Sequence, residues 1–130
     1  MTRELISRPE KHYDPKKLGW SHVVKAKGTF VFISGQSPIS ENNELVGKAD
    51  LAAQARQVFE NLKYALKSAG ASTDDLVKLN IYLTSIDQYE TMKKIRSDYV
   101  KSFPAMTTVI VSSLCRPDIM LEIEAIAVIS

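Results

Sequence analysis

Apolar residues in this chain change their spacing several times, and each change marks an element. The clearest run is Asp50–Ala69, where Leu51, Ala55, Val58, Leu62, Ala65 and Ala69 recur at three- and four-residue steps. That period collects them in one stripe and predicts an amphipathic helix. Asp50 stands where a side-chain N-cap is wanted, and Gly70 where a left-handed residue ends a helix. Leu76–Leu83 then switches to period two. Val77, Leu79, Ile81 and Leu83 share one face of a strand, and Lys78, Asn80 and Tyr82 share the other. A second helix is expected over about Asp87–Ser102, with Asp87 and Glu90 spaced as a capping box. Tyr89, Met92, Ile95 or Arg96, Tyr99 and Phe103 trace its buried stripe, and Pro104 stops it.

Strands are expected on either side of this middle. Ser21–Ala26 and Thr29–Ser34 flank a turn at Lys27-Gly28, and the second is rich in β-branched and aromatic residues. Gly35 marks a bend or a close approach of backbone. Ser40–Gly47 is polar and predicts a surface loop, and Arg8–Gly19 reads as an irregular lead-in. Met106–Ser112 and Met120–Ile129 form a closing, hairpin-like pair of strands connected through Cys115–Asp118. The order β-β-α-β-α-β-β predicts a single α+β domain over residues 1–130, one sheet with both helices on one face.

Composition agrees with a globular domain: 45% of the 130 residues are apolar, 25% are charged and the net charge is +2. A chain of this length buries roughly two-thirds of its unfolded surface and needs no covalent staple. One cysteine, Cys115, excludes an internal disulfide and favours a reducing compartment. No apolar run reaches the roughly 18 residues of a membrane span, and the charged N-terminus, broken by Pro9 and Pro15, has no secretory core. A cytoplasmic protein without membrane partners is expected. Lysines lie scattered among acids, as Lys93, Lys94 and Arg96 do near Glu90 and Asp98. This argues against nucleic acid as a partner, because such binders cluster their cations.

The last strand holds the oddest feature. Glu122 and Glu124 are two apart and point to one face, together with Met120, Ile126 and Val128; Leu121, Ile123, Ala125 and Ala127 fill the other. Both faces are expected to be covered, and carboxylates on a covered face cost free energy unless paired. Two readings stand: a site with a raised pKa suited to acid/base work, or a face lining a subunit interface with each glutamate satisfied by a cation or backbone N–H. His22 reads as structural, His12 carries less weight, and two histidines with one cysteine make no metal site. Arg116 next to Cys115 could lower the thiol pKa, but no partner histidine is identifiable. The glycines match no phosphate loop or dinucleotide fingerprint.

Four stretches carry a resemblance. Phe30-Val-Phe-Ile-Ser-Gly-Gln36, Gln54 to Leu62 running on to Ala69-Gly70, Asp75 to Leu83, and Leu121-Glu-Ile-Glu-Ala-Ile-Ala127 occur in the order seen in the RidA family. That family is also called YjgF-like or L-PSP endoribonuclease-like. The resemblance spans nearly the whole chain from Gly19. It implies a chorismate-mutase-like fold, a homotrimer with clefts between subunits, and hydrolysis of reactive enamines and imines to a carbonyl product and ammonia without metal or cofactor. It also implies that Glu122 positions or activates water, with Ser34 and Gly35 beside it.

Departures from the family pattern concern the substrate. Where the pattern has an arginine that clamps a substrate carboxylate, Pro104-Ala105-Met106-Thr107 places Met106, which has neither charge nor donor. Ser21 stands where many members carry the tyrosine of a Gly-Pro-Tyr, and Lys93 replaces an asparagine. Ser21, Ser34, Gly35, Lys93, Met106, Thr107 and Arg116 are thus the candidate substrate-binding residues, with Arg116 or Lys93 as a substitute cation. The resemblance and its departures together imply an enamine or imine hydrolase of altered specificity. The alternatives are a non-catalytic trimer that binds a small carboxylate or carbonyl metabolite, and, in last place, the endoribonuclease of the older family name.

Overall fold

The computed structural model describes residues 2–130. Its elements are β1 (Thr2–Ile6), β2 (Val23–Lys27), β3 (Thr29–Gln36), α1 (Leu51–Ser68), β4 (Leu76–Leu83), α2 (Tyr89–Tyr99), β5 (Ala105–Ile110) and β6 (Leu121–Ile129). They form a four-stranded sheet in the order β3-β6-β4-β5, with β5 parallel to β4 and the other neighbours antiparallel, and a two-stranded sheet β1-β2. Two helices packed on a sheet confirm the α+β class.

Three expectations are corrected. An additional strand, β1, pairs with β2, so the order is β-β-β-α-β-α-β-β and there are two sheets rather than one. Its partner β2 does not form a hairpin with β3. Gly28, at φ 148°, turns the chain into the other sheet, and a Cβ there would lie 2.2 Å from the Ile129 carbonyl oxygen. Finally, β5 and β6 are not a closing pair, because β4 lies between them. Such pairings link residues far apart in sequence, and the alternation within a strand carries no information about its neighbour.

Local chemistry explains the helices. Asp50 Oδ1 accepts the Ala53 N–H at 3.1 Å, and Gly70, at φ 76°, follows the helix while the Ala71 N–H returns to the Leu66 carbonyl. The buried face of α1 is Gln54, Ala55, Val58, Phe59, Leu62 and Leu66, turned slightly from the stripe through Ala65 and Ala69. Before α2, the capping box is Ser85 with Gln88, at a short 3-10 turn (Ile86–Gln88), and not Asp87 with Glu90. The helix ends at Tyr99, where Val100 already has extended backbone. The Tyr99 ring stacks on Phe59 at 5.2 Å, locking α2 to α1.

The core lies between these helices and one face of the sheet. Leu76, Leu79, Ile81, Leu83, Leu121, Ile123 and Ala127 are buried there beneath Leu62, Leu66 and Met92. A register shift between Leu76 and Lys78 puts Leu76 into the core in place of Val77. The other face of the sheet has no layer from the described residues over most of it: Phe32 is 73% exposed, and Glu122, Glu124 and Ile126 are half-buried. The face expected to be covered is therefore open within one chain.

The irregular lead-in is held down by side chains. His12, Tyr13, Trp20 and His22 form an aromatic cluster, with the two imidazoles stacked at 4.2 Å. Arg3 ties β1 to the carbonyls of Asp74 and Ser102.

Candidate functional site

Strand alternation sets Glu122 and Glu124 on the open face of β6, and the register with β4 decides what each meets. Asn80 is opposite Glu124, and Tyr82 is opposite Glu122. Asn80 Nδ2 donates to Glu124 Oε1 at 3.0 Å, and Tyr82 Oη donates to the same oxygen at 2.7 Å. Hydrogen bonds to a charged form favour it. The Tyr82 bond, and then the Asn80 bond, hold the Glu124 carboxyl below the usual carboxylate range against a weaker opposing effect of burial. The same bond to Glu124 pushes the Tyr82 phenol upward, helped by desolvation and by the charges of Glu124 and Glu122. Glu124 is thus a bound carboxylate with donors on one oxygen.

Glu122 has a different surrounding. A Cβ at position 35 would lie 1.9 Å from Glu122 Oε1 and 2.8 Å from its carboxyl carbon. Only glycine leaves room for that carboxylate. Gly35 falls where the pairing of β3 with β6 slips, between Ile33 and Gln36, and such a bulge re-aims the backbone at its site. Ser34 is exposed beside it, its carbonyl accepting Gln36 Nε2 at 2.9 Å. Phe32, Ser34, Lys78, Asn80, Glu124 and Ile126 line a cavity of about 290 Å³ on the same face.

The remaining candidates divide between two sides of the sheet. Thr107 lies opposite Asn80 on the open side, and Lys78 Nζ donates to its hydroxyl at 3.3 Å. Met106 lies opposite Leu79 and packs on the helix-side core. Ser21 is buried, bridges to Ala105, and donates its N–H to the Pro104 carbonyl at 3.2 Å; its hydroxyl has no partner among the described residues. Lys93, on α2, pairs with Glu90 at 3.3 Å and lies 5.7 Å from the centre of the Tyr89 ring. Arg116 sits on the exposed loop before β6, paired with Asp118 at 3.1 Å. One chain therefore brings Ser34, Gly35 and Glu122 together and sets Thr107 on the same face. It keeps Met106 and Lys93 on the helix side, with Ser21 buried beside Ala105 at the β5 edge. Among the described residues no group of three or more His, Cys, Asp or Glu side chains could hold a metal ion, and no helix is long and apolar enough to cross a membrane.

A family model described as Endoribonuclease L-PSP matches residues 14–129. The chain belongs to this family, the RidA (YjgF-like) family. It is 41% identical over 115 residues to a RutC family protein of Pyrococcus horikoshii, covering 87% of this chain and 90% of that one. A 2-iminobutanoate/2-iminopropanoate deaminase of Salmonella typhimurium is 34% identical over 105 residues, covering 78% and 80%. Among solved structures, a Rid-family protein of unknown function from Yersinia pestis superimposes with a TM-score of 0.87 at 34% identity, over 99% of this chain and all of the other. Escherichia coli TdcF with bound serine gives 0.71 at 33% identity, covering 82% and 85%.

Sequence reading of this RidA-family chain missed two kinds of residue. Asn80 and Tyr82 were placed on the correct strand face, but nothing in their spacing says that β6 lies alongside. Arg96 was an alternative to Ile95 in the stripe of α2. Both are buried, and Arg96 is a charged group at 3% exposure. Its spacing marked it as inward-facing but gave no sign of what it faces.

Proposed function

We propose that this protein hydrolyses the C=N bond of a small enamine or imine whose acid group is absent or differently held from that of the family pattern. The observation that carries this is the contact between Glu122 and the backbone of Gly35, which reserves space for a carboxylate on an otherwise open sheet face. An enamine first tautomerises to the imine, which reacts as its protonated form. Glu122 takes a proton from water as the oxygen adds to the iminium carbon, and returns it to the carbinolamine nitrogen. The C–N bond then breaks and the hydroxyl proton leaves with the nitrogen, giving a carbonyl compound and ammonium. Ser34 and the backbone near Gly35 orient the water. Glu124, engaged by Asn80 and Tyr82, supports the face and keeps its charge. Family relatives named as deaminases support the reaction class.

In this reading the catalyst is a homotrimer. The open face of one subunit meets the β5 edge of the next, and the cleft between them unites Glu122, Ser34 and Gly35 of the first with Met106, Thr107, Ser21 and Lys93 of the second. Exposed Phe30 and Phe32 support an assembled state. The packing of Met106 on the core favours a second reading, a cleft that binds a carbonyl or carboxylate metabolite without turnover. Arg116 and Lys93 already have acidic partners, which weakens either as the substitute clamp.

The test is ammonia release from 2-aminoacrylate generated in situ by a serine dehydratase, with wild type, Met106→Arg and Glu122→Gln compared. Slow hydrolysis by wild type, a gain of about tenfold or more in Met106→Arg and loss in Glu122→Gln are expected. Wild-type activity equal to that of an arginine-bearing relative would show that another residue supplies the clamp. Inactivity of all three on diverse imines, with ligand binding retained, would select the second reading.

A further inference from the structure

On α2 the chain buries a cation. Arg96 is 3% exposed, yet no carboxylate lies within ion-pair distance of it among the described residues. Its Nη2 donates to the Leu18 carbonyl at 2.6 Å, and the Tyr89 hydroxyl is its other polar neighbour. A guanidinium has five N–H donors, so these contacts leave capacity unused. Burial without a counter-ion is costly for a charged group. Consistent with this, desolvation is the main effect holding the Arg96 guanidinium below its ordinary range, with Tyr89 opposing it.

Arg96 lines a cavity of about 430 Å³ between α2 and the turn at Lys16–Leu18. Lys17, Lys93 and Lys94 line it too, and Glu90 is the one acid, paired with Lys93 at 3.3 Å. Four cations against one carboxylate around a concave surface focus a positive potential there. The backbone helps to shape the opening. Gly19, at φ 91°, ends the turn, and a Cβ there would meet Arg96 Nη2 at 3.6 Å.

We propose that this cleft is a binding site for a small oxyanion, a carboxylate or phosphate group, with the Arg96 guanidinium at its base and Lys17, Lys93 and Lys94 at its rim. The anion supplies the counter-charge that no carboxylate among the described residues provides. A planar guanidinium receives two oxygens side by side, and the lysines add charge without fixed geometry. The cleft shares Lys93 with the imine site proposed above, but it is centred on Arg96 and defined by binding, so an enzyme inert towards imines would leave it standing.

Isothermal titration of the full chain in low-salt buffer tests it, with sodium pyruvate and sodium phosphate as separate probes. Saturable binding of at least one anion, with one site per chain, is expected. Pyruvate alone would identify a carboxylate site, phosphate alone a phosphate site, and both a general oxyanion site. Arg96→Met should weaken binding by about tenfold or more, Arg96→Lys should restore part of it, and Lys93→Met should cost a smaller factor. Should Arg96→Met fail to fold, the rim variant Lys17→Met/Lys93→Met decides: undiminished binding overturns the assignment. So does the absence of saturable binding by either anion, or full affinity in folded Arg96→Met.

Discussion

Gly35 and Glu122 occupy space that one methyl group would fill. Gly35→Ala forces a Cβ against the carboxylate at 1.9 Å, so either the side chain or the bulge must move. The clashing atoms belong to a flexible side chain that can swing aside, so the destabilisation should stay at or below about 1–3 kcal/mol, the range for overpacked sites, and the displaced carboxylate should lose imine hydrolysis. Adding Glu122→Ala should recover much of that stability, because the two changes share one contact; additive costs in a thermal-denaturation cycle would disprove the coupling. Glu124 makes a pH-dependent contribution of known sign. Its folded pKa lies below that of an unfolded carboxyl because Tyr82 and Asn80 donate to it. Its stabilisation is therefore complete above the ordinary carboxylate range near pH ~4.3 and is lost as pH falls through the depressed folded value. Urea unfolding of wild type and Glu124→Gln should differ more at pH 7 than at pH 3. An equal gap at both would show that the donors do not favour the charged form.

At the scale of elements, Gln54 is the polar residue on the buried face of α1, and its amide stitches three segments together. Its Nε2 donates to the Gly47 and Asp118 carbonyls at 3.1 and 2.9 Å, and its Oε1 accepts the Met120 N–H at 2.8 Å. Gln54→Ala strands these groups and should cost about 2–4 kcal/mol in urea denaturation, since each unpaired buried group costs about 1–3 kcal/mol. Gln57→Ala, which breaks a link to Asn61 on the same helix, should cost less than half as much. Elements like α1 are legible in sequence because period, cap and terminal glycine agree: the expected Asp50–Ala69 and observed Leu51–Ser68 differ only by the capping residues. Failure came where one signal stood alone. Thr2–Ile6 is short and carries Arg3 and Glu4, so it shows no apolar alternation, and it is a strand through its pairing with β2. Val77 alternated correctly with its neighbours and was displaced from the core by a bulge that no residue type announced. The same limit divides the candidate site. The face bearing Glu122 and Glu124 follows from period two, whereas Asn80 and Tyr82 become their partners only through register.

For the whole molecule, the open sheet face decides how the site can work. Phe32 is 73% exposed and Phe30 54%, with their rings 6.2 Å apart, and Val109, opposite Tyr82 on β5, is also exposed. Apolar side chains gathered on one face favour association, and here they share that face with Glu122, Glu124 and Lys78. Glu122 and Met106 lie on opposite sides of the sheet, so in the proposed reading one substrate reaches both only where two copies of the chain meet. Phe32→Glu separates the parts of this argument. The side chain is almost free of its own chain, so folding should survive, with circular dichroism and melting temperature near those of wild type. Burying the new carboxylate against a neighbour would cost several kcal/mol, so sedimentation should show wild type as a trimer and the variant as a monomer. Imine hydrolysis should then be lost although Glu122 and Gly35 are untouched, and it should return at protein concentrations that drive reassembly. A monomeric wild type with full activity would place the whole site in one chain. A variant that stays trimeric and active would move the contact to another surface.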